Sequence, residues 1–391
     1  MSLLGCLAAF SLLIWIYLAF AHGRFWCADQ FLEGGNADPA VWPEVVAIVP
    51  ARNEAAVIER SLDSLLRQDY PGKFSVILVD DESTDDTAAI ARQCAATAGG
   101  EVAMTVLATP ARPAGWVGKM WALGTGVGAA SEQLPADGSG WYLLTDADIQ
   151  HSPGNLRRLV ASGESRQLSL VSLMVRLEAE HGWGRLLIPA FVYFFQKLYP
   201  FPRVNDPSSS VAAAAGGCML VRRASLQAAG GVAPLRAEII DDCAFGRALK
   251  QQGPVWLGLT RSVRSIRPYV GLREVWDMVA RSAFTQLDYS WVQLAGTLMG
   301  LALLYLVPVA AVLAGVLSGE APAALAGLAA WLLLAATFVP TLVLYGRSPW
   351  LSLALPLAGT LYAAMTFDSA WRHAQGRGAY WKGRQGAGSE H

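Results

Sequence analysis

Charge is scarce in this 391-residue chain: Asp, Glu, Lys and Arg make up 16% of it, against about 25% in an ordinary soluble protein. The 30 basic and 31 acidic residues leave a net charge of −1. Such a balance supplies no basic face, which argues against bulk electrostatic binding to nucleic acid. Cysteine is sparse as well. Cys6, Cys27, Cys94, Cys218 and Cys243 are scattered and form no C-x-x-C pair. That speaks against a disulfide framework or a structural zinc site, and it suits a reducing compartment. No repeat or low-complexity tract stands out.

What the chain has in excess is apolar residues, 53% of the total, collected at its two ends. Residues 2–20 form an uncharged apolar run followed by His22 and Arg24, long enough to cross a bilayer. No basic stretch precedes it and no A-x-A-like site follows, so a retained anchor at 1–22 is expected rather than a cleaved leader. Near the other end, 293–317, 322–345 and 349–367 are three apolar runs of spanning or near-spanning length. After them comes a Gly-rich basic tail, 371–391, with Arg372, Arg377, Lys382 and Arg384. This arrangement carries a conflict. One N-terminal and three C-terminal crossings put the tail opposite the central segment between them, whereas its basic residues favour the cytoplasmic side. Either one run does not cross or the tail lies outside.

Between these ends, 43–270 alternates strand and helix signals. The β-branched runs 45–49 and 75–79 suit buried strands, and 102–107 and 141–145 continue the series. Residues 55–67 carry Val57, Ile58, Leu62, Leu65 and Leu66 at helical spacing, and 87–94 is the next helix. The expectation is an α/β domain with a mainly parallel sheet flanked by helices, joined through a connector at 271–292 to a membrane region at 293–370.

In such sheets ligands bind beyond the carboxyl ends of the strands, and three polar clusters fall there. The first holds Pro50, Arg52, Asn53 and Glu54; the second runs from Asp80 and Asp81 through Ser83, Thr84, Asp85 and Asp86; the third is Asp146 and Asp148. Asp85 and Asp86 read as helix caps. The remaining carboxylates would repel one another unless a cation or a donor-rich ligand offsets them. A Mg²⁺ or Mn²⁺ ion on Asp146 and Asp148, bridging to a diphosphate, would do so. A fourth element, Asp241 and Asp242, stands at an expected helix start, where acids also serve as ordinary caps.

Taken together, the four clusters resemble the family-2 glycosyltransferases of the GT-A fold. Pro50, Asn53 and Glu54 match that family's opening turn, and Asp80, Asp81, Ser83, Thr84 and Asp85 match its second-strand motif. Asp146 and Asp148 match its D-x-D, and Asp241 and Asp242 match its catalytic acid pair. The resemblance implies a nucleotide-sugar donor of the uridine type, with Asp81 on the base and Arg52 nearby. It implies a metal on Asp148 helped by Asp146, and Asp242 as the general base in an inverting transfer. Gly115, Gly118 and Lys119 resemble the family's G-K segment, so Lys119 is expected near the donor phosphates. Pro50, Glu54 and Arg281 complete the donor-site candidates.

The stretch 187–201 (LIPAFVYFFQKLYPF) and the segment 214–219 look like the hopanoid-associated membrane subgroup, kin to ceramide glucosyltransferases. The Tyr, Phe and Lys197 side chains of 187–201 suit a lipid–water interface, and a buried core segment is the alternative. One departure from the wider family is the absent R-W pair: 281–286 keeps Arg281 only. A snorkelling residue is an equally plain reading of Arg281. The sequence therefore points to one sugar placed on a membrane lipid acceptor, by an enzyme of the inner (plasma) membrane with its catalytic domain in the cytoplasm. A processive polysaccharide synthase and a non-catalytic membrane scaffold are the alternatives.

Overall fold

The computed structural model describes residues 2–32, 37–97, 102–269 and 271–377, with two backbone pairs at 380–381 and 384–385. Lys382 of the basic tail lies outside the described residues. In chain order the strands are β1 (Val45–Ala51), β2 (Phe74–Asp80), β3 (Ala103–Ala108), β4 (Trp141–Thr145), β5 (Ile149–His151), β6 (Leu170–Arg176), β7 (Cys218–Arg222) and β8 (Val255–Ser265). The helices are α1 (Leu3–Phe20), α2 (Ile58–Leu66), α3 (Thr87–Thr97), α4 (Gly118–Gln133), α5 (Asn155–Ser165), α6 (Gly184–Leu198) and α7 (Phe201–Val204). They continue as α8 (Arg223–Ala228), α9 (Asp241–Lys250), α10 (Leu272–Ala280), α11 (Trp291–Leu301), α12 (Val307–Ser318), α13 (Ala321–Leu344) and α14 (Leu355–Ala374).

The chain divides into two units. One comprises Gln30–Glu178, Arg203–Arg267 and Tyr380–His391, the other Met1–Asp29, Ala179–Pro202 and Pro268–Ala379. The first is an α/β unit built on an eight-stranded sheet of order β3-β2-β1-β4-β7-β6-β8-β5. Strands β3, β2, β1 and β4 are mutually parallel, as are β6 and β8. Antiparallel β7 lies between β4 and β6, and antiparallel β5 closes the edge on β8. The sheet is thus mixed, and its parallel half is the part that the βαβ pattern of the sequence specifies.

All seven residues of β1 are buried, as a strand covered on both faces by helices requires. On α2, Ile58, Leu62 and Leu65 recur at i, i+4 and i+7 and are fully buried. Helix α4 packs closely because position 126 is glycine: a Cβ there would lie 2.4 Å from Cγ2 of Ile48. Registered pairing of Val45 with Phe74 and with Trp141 brings the ends of β1, β2 and β4 to one edge of the sheet.

The second unit is helical. Four of its helical stretches are long and apolar enough to cross a membrane: Leu3–Phe20, Trp291–Ser318, Ala321–Leu344 and Pro349–Ala374. Large apolar side chains such as Leu13, Leu317 and Leu325 face outward from them. Helices α11 and α12 join through a π-helical turn, Ala302–Leu306. Pro308, which has no N–H, follows that turn and leaves the Leu304 carbonyl without its usual i+4 donor. The Trp15 indole N–H of α1 donates to that carbonyl at 3.0 Å. Small residues let α12 and α13 approach: a Cβ on Gly327 would meet the Pro308 carbonyl at 2.6 Å, and one on Gly315 the Ala324 amide at 2.7 Å.

The last apolar run reverses direction inside this unit. The Trp331 indole, midway along α13, donates to the Leu353 carbonyl at 3.1 Å. Gly359 then lies against the Tyr305 ring, and Ala370 packs with Leu294 and Phe284. As α14 advances from 359 to 370, its neighbours on α11 and the π turn recede from 305 to 294. Helix α14 therefore starts beside the middle of the α11–α12 rod and returns toward the end where that rod begins. There Arg372 pairs with Asp277 at 2.8 Å, and the Trp276 indole donates to Asp368 at 2.6 Å.

Segment 179–202, inside the stretch expected to form one α/β domain, packs in the helical unit. Its helix α6 buries Leu187, Ile188, Val192 and Tyr193. The Tyr193 hydroxyl hydrogen-bonds Thr337 of α13 at 2.7 Å. Within 187–201 most side chains are buried or half-buried inside the unit, while Leu198 is exposed.

Candidate active site

Two loops at the sheet edge are laced together. The Asn53 amide donates to Ser83 Oγ (3.0 Å), the Thr84 amide to Asn53 Oδ1 (2.8 Å), the Glu54 amide to Thr87 Oγ1 (2.7 Å) and the Ala55 amide to Asp85 Oδ2 (3.1 Å). Asp85 also accepts from the Thr87 amide at 3.0 Å. Asn53, Ser83, Thr84 and Asp85 thus hold the loops in register, and Asp85 is the cap that the sequence suggests. Asn53 and Glu82 take left-handed φ values of 50° and 51°, an uncommon conformation for side-chain-bearing residues that this network supports.

Arg52 and Asp81 form the first pair. Arg52 Nη1 donates to the carbonyls of Asp81 and Glu82 and lies 3.9 Å from Asp81 Oδ2. Asp81 is fully buried and accepts from Thr109 Oγ1 at 3.3 Å.

The second group gathers three acidic candidates, Asp146, Asp241 and Asp242, around the Lys119 ammonium. Lys119, on the first turn of α4, places Nζ 2.9 Å from Asp146 Oδ1 and 3.1 Å from Asp241 Oδ2. Burial pulls its pKa down, but the charges of Asp146 and Asp241 outweigh that and hold it above the usual lysine value. Asp241 and Asp242 open α9. Asp242 accepts from the Gly216 amide (3.0 Å, Oδ2) and the Cys243 amide (2.7 Å, Oδ1). Burial first, and the neighbouring Asp241 charge second, push its carboxyl up to about 6, against the opposing pull of Lys119 and the two amides. A small pocket lined by Pro50, Lys119, Asp146, Gly216 and Asp241 opens beside it.

The third group contains a residue that sequence reasoning missed. Arg267 Nη2 lies 2.7 Å from both oxygens of Glu54, and its Nε donates to Asp148 Oδ2 at 3.1 Å. Ser265 Oγ donates to the same Asp148 oxygen at 2.9 Å. Antiparallel pairing of β5 with β8, Ile149 opposite Ser265, carries Arg267 to this place. Nothing local in the sequence marks it, because its partners lie 119 and 213 residues away. A basic residue two positions past the end of β8, just before Pro268, is the one trace it leaves.

Behind the acidic turn, buried His151 hydrogen-bonds Thr145 Oγ1 at 3.0 Å and Asn155 Nδ2 at 3.1 Å. Thr145 Oγ1 donates to the Gly217 carbonyl at 2.8 Å. Burial lowers the His151 pKa to about 4, so the ring is a neutral brace that fixes the turn before Asp146.

Asp146 and Asp148 are two residues apart yet pair with different cations, Lys119 and Arg267. Among the described residues, no group of three or more His, Cys, Asp or Glu side chains converges as a metal cage. Glu54, Asp146, Asp148, Asp241 and Asp242 nonetheless outnumber the two cations that bridge them. An anionic ligand would meet this excess of negative charge unless a further cation came with it. Oxygen donors of this kind suit Mg²⁺ or Mn²⁺, which bind through one or two carboxylates and take the remaining positions from water and substrate phosphates. The donor set fits such an ion. Arg281 lies in the helical unit, at the end of α10.

Comparison with known proteins accords with this geometry. Residues 46–230 match the family model described as glycosyl transferase family 2. A beta-monoglucosyldiacylglycerol synthase of Synechocystis is 45% identical over 60 residues, 15% of this chain and 12% of the relative; the match thus spans about an eighth of that protein. Among solved structures, the mannosyltransferase PcManGT from Pyrobaculum calidifontis, in complex with GDP-Man and Mn²⁺, has a TM-score of 0.53 at 20% identity. That alignment covers 95% of this chain and 99% of the other. Glucosyl-3-phosphoglycerate synthase from Mycobacterium tuberculosis, in complex with Mn²⁺, UDP and its product, has a TM-score of 0.40 at 22% identity, covering 63% and 79%.

Proposed function

We propose that the chain, whose residues 46–230 match the glycosyl transferase family 2 model, is a glycosyltransferase that moves one sugar, with inversion, from a uridine-diphosphate-type donor to the hydroxyl of a membrane lipid. The observation that carries this reading is Asp242: a half-buried carboxylate held by two backbone amides, beside a lysine that bridges two further acids. The amides fix its orientation, and the raised pKa makes it a better proton acceptor than a free carboxylate while leaving it ionised at neutral pH.

In the transfer, a carboxylate oxygen of Asp242 takes the acceptor hydroxyl proton as that oxygen bonds to the anomeric carbon. The bond from that carbon to the diphosphate breaks on the opposite side, and the nucleoside diphosphate carries off the electron pair. Lys119 stays charged and offsets the growing negative charge. Asp146 and Asp148 would hold a divalent ion, which when bound supplies Lewis-acid stabilisation of the leaving diphosphate; the Mn²⁺ in complex with PcManGT supports this. Asp81, beside Arg52, is assigned to the donor base, with Pro50 and Glu54 at the donor pocket.

The acceptor follows from the helical unit, with its four candidate spans. The sequence resemblance favours a hopanoid. A diacylglycerol is the second reading, favoured by the name of the Synechocystis relative. Mass spectrometry of lipid extracts with and without the gene tests both: loss of a hexosyl hopanoid or of a hexosyl diacylglycerol identifies the acceptor. An unchanged lipid profile would overturn lipid glycosylation and favour a polysaccharide synthase.

The course of α14 suggests a topology in which α1, the α11–α12 rod and α13 cross the bilayer. The run from Pro349 enters to about mid-depth and returns. This puts the basic tail on the side where the chain enters the α/β unit, as the positive-inside rule asks, with that unit in the cytoplasm at the inner membrane. A tag fused after residue 391 should resist protease in intact right-side-out cells and be cleaved after permeabilisation. Cleavage in intact cells would sink the re-entrant assignment.

A further inference from the structure

The helical unit holds a lysine with no carboxylate. Lys197, near the end of α6, is half-buried and donates from Nζ to the hydroxyl of Tyr305 at 2.8 Å. The ammonium also sits over the faces of Phe194 (5.3 Å) and Tyr305 (4.9 Å). Among the described residues no acid pairs with it. An ammonium has three donors, and aromatic faces offset its charge without accepting all of them.

The cup around it is built in advance. Tyr305 is fully buried on the π-helical turn that Pro308 follows. Trp15 meets its ring edge-on at 5.8 Å, Phe194 at 5.7 Å, and Gly359 leaves the space that a Cβ would take 2.6 Å from its Cγ. The Lys197 carbonyl accepts from His22 Nε2 at 2.8 Å. That bond leaves His22 Nδ1, also buried, without a partner among the described residues.

The level of this cup within the unit is set by α1. At its start the Ser2 amide donates to Glu320 at 3.3 Å, and His22 follows its end. The 18 residues between rise about 27 Å at 1.5 Å each, close to the roughly 30 Å of a bilayer's hydrocarbon core. Lys197, whose carbonyl is tied to His22, and Tyr305, 15 residues and about 22 Å from Glu320 along α12, therefore lie toward the edge of the apolar layer opposite Glu320, on the side where lipid phosphates begin.

We propose that Lys197, with the Tyr305 and Phe194 rings, is a binding site for the phosphate of an anionic lipid headgroup. The ammonium's spare donors meet phosphate oxygens, a charge-assisted contact at the polar boundary, and the rings hold the ammonium in place. The site requires only that the helical unit lie in a bilayer. Its readout is lipid retention, so its failure is distinguishable from failure of the transfer reaction.

Native mass spectrometry of the full-length chain in detergent, titrated with phosphatidylglycerol or with triacylglycerol of the same acyl chains, which has neither a phosphate nor an acceptor hydroxyl, tests it. The wild type should retain phosphatidylglycerol in preference to triacylglycerol. Lys197→Met should weaken phosphatidylglycerol retention by about tenfold, roughly the size of one charge-assisted hydrogen bond, and Lys197→Arg should keep most of it. Equal retention of the two lipids by the wild type overturns the proposal without recourse to any variant. So does phosphatidylglycerol retention that Lys197→Met leaves unchanged. Displacement of the lipid by equimolar inorganic phosphate would assign the cup to free phosphate and overturn the lipid assignment.

Discussion

Replacing Asp242 with Asn is expected to lower kcat for sugar transfer by about 10²- to 10⁴-fold, the range that a positioned general base supplies, while donor affinity stays within about twofold. The reason lies in the surroundings of the carboxylate. Its oxygens already accept from the Gly216 and Cys243 amides, so the side chain is oriented before substrate arrives. Asparagine keeps the shape and loses the proton-accepting oxygen. Single-turnover rates beside equilibrium donor binding separate the two effects, and full activity in the purified variant would sink the assigned base.

The same assignment fixes a pH profile. A base works only when ionised, and the Asp242 carboxyl is raised to about 6. The protonated, inactive form therefore gains as pH falls through 6. Activity should level off above that value and fall about tenfold per unit below it. Asp241→Asn removes a negative neighbour that raises this pKa, so the acid limb should move to lower pH. An unmoved limb would detach the titration from this pair.

Asp148→Ala carries the second large effect. This carboxylate accepts from Ser265 and Arg267, and Arg267 in turn clamps Glu54. Under the proposed assignment its loss takes away an oxygen donor to the metal, while the Arg267 guanidinium keeps its clamp on Glu54. Transfer, measured as kcat/KM, should fall on the order of 10²- to 10³-fold, the scale of losing electrostatic stabilisation of a developing charge. The remaining activity should lose its dependence on added Mg²⁺ or Mn²⁺. Asp85→Asn, which alters a loop tie distant from the ion, should retain the metal dependence. A wild-type metal titration curve in Asp148→Ala would exclude Asp148 as a ligand.

Arg267 shows why part of the site was invisible in the chain. Strand ends in parallel βαβ units must fall on one edge, so Pro50, Arg52, Glu54, Asp81, Asp146 and Asp148 could be placed there from pattern alone. Arg267 reaches that edge only through the antiparallel pairing of β5 with β8, and strand partners of that kind have no local signature. The family resemblance singled out Lys119, yet its bridge between Asp146 and Asp241 depends on how α4 and α9 pack at the sheet edge.

The scarcity of charge in the chain had a similar limit. Composition alone determined that apolar helices stand at both ends and that an acidic site lies on a βαβ framework, because hydropathy and period are local properties of a sequence. Only tertiary structure decided that the last apolar run turns back beside Trp331, that α6 packs within the helical unit, and that Lys197 meets aromatic faces in place of a carboxylate. Those outcomes depend on close approach between helices distant in the chain, at Gly327 and Gly359 for example, where the absence of a side chain sets the distance.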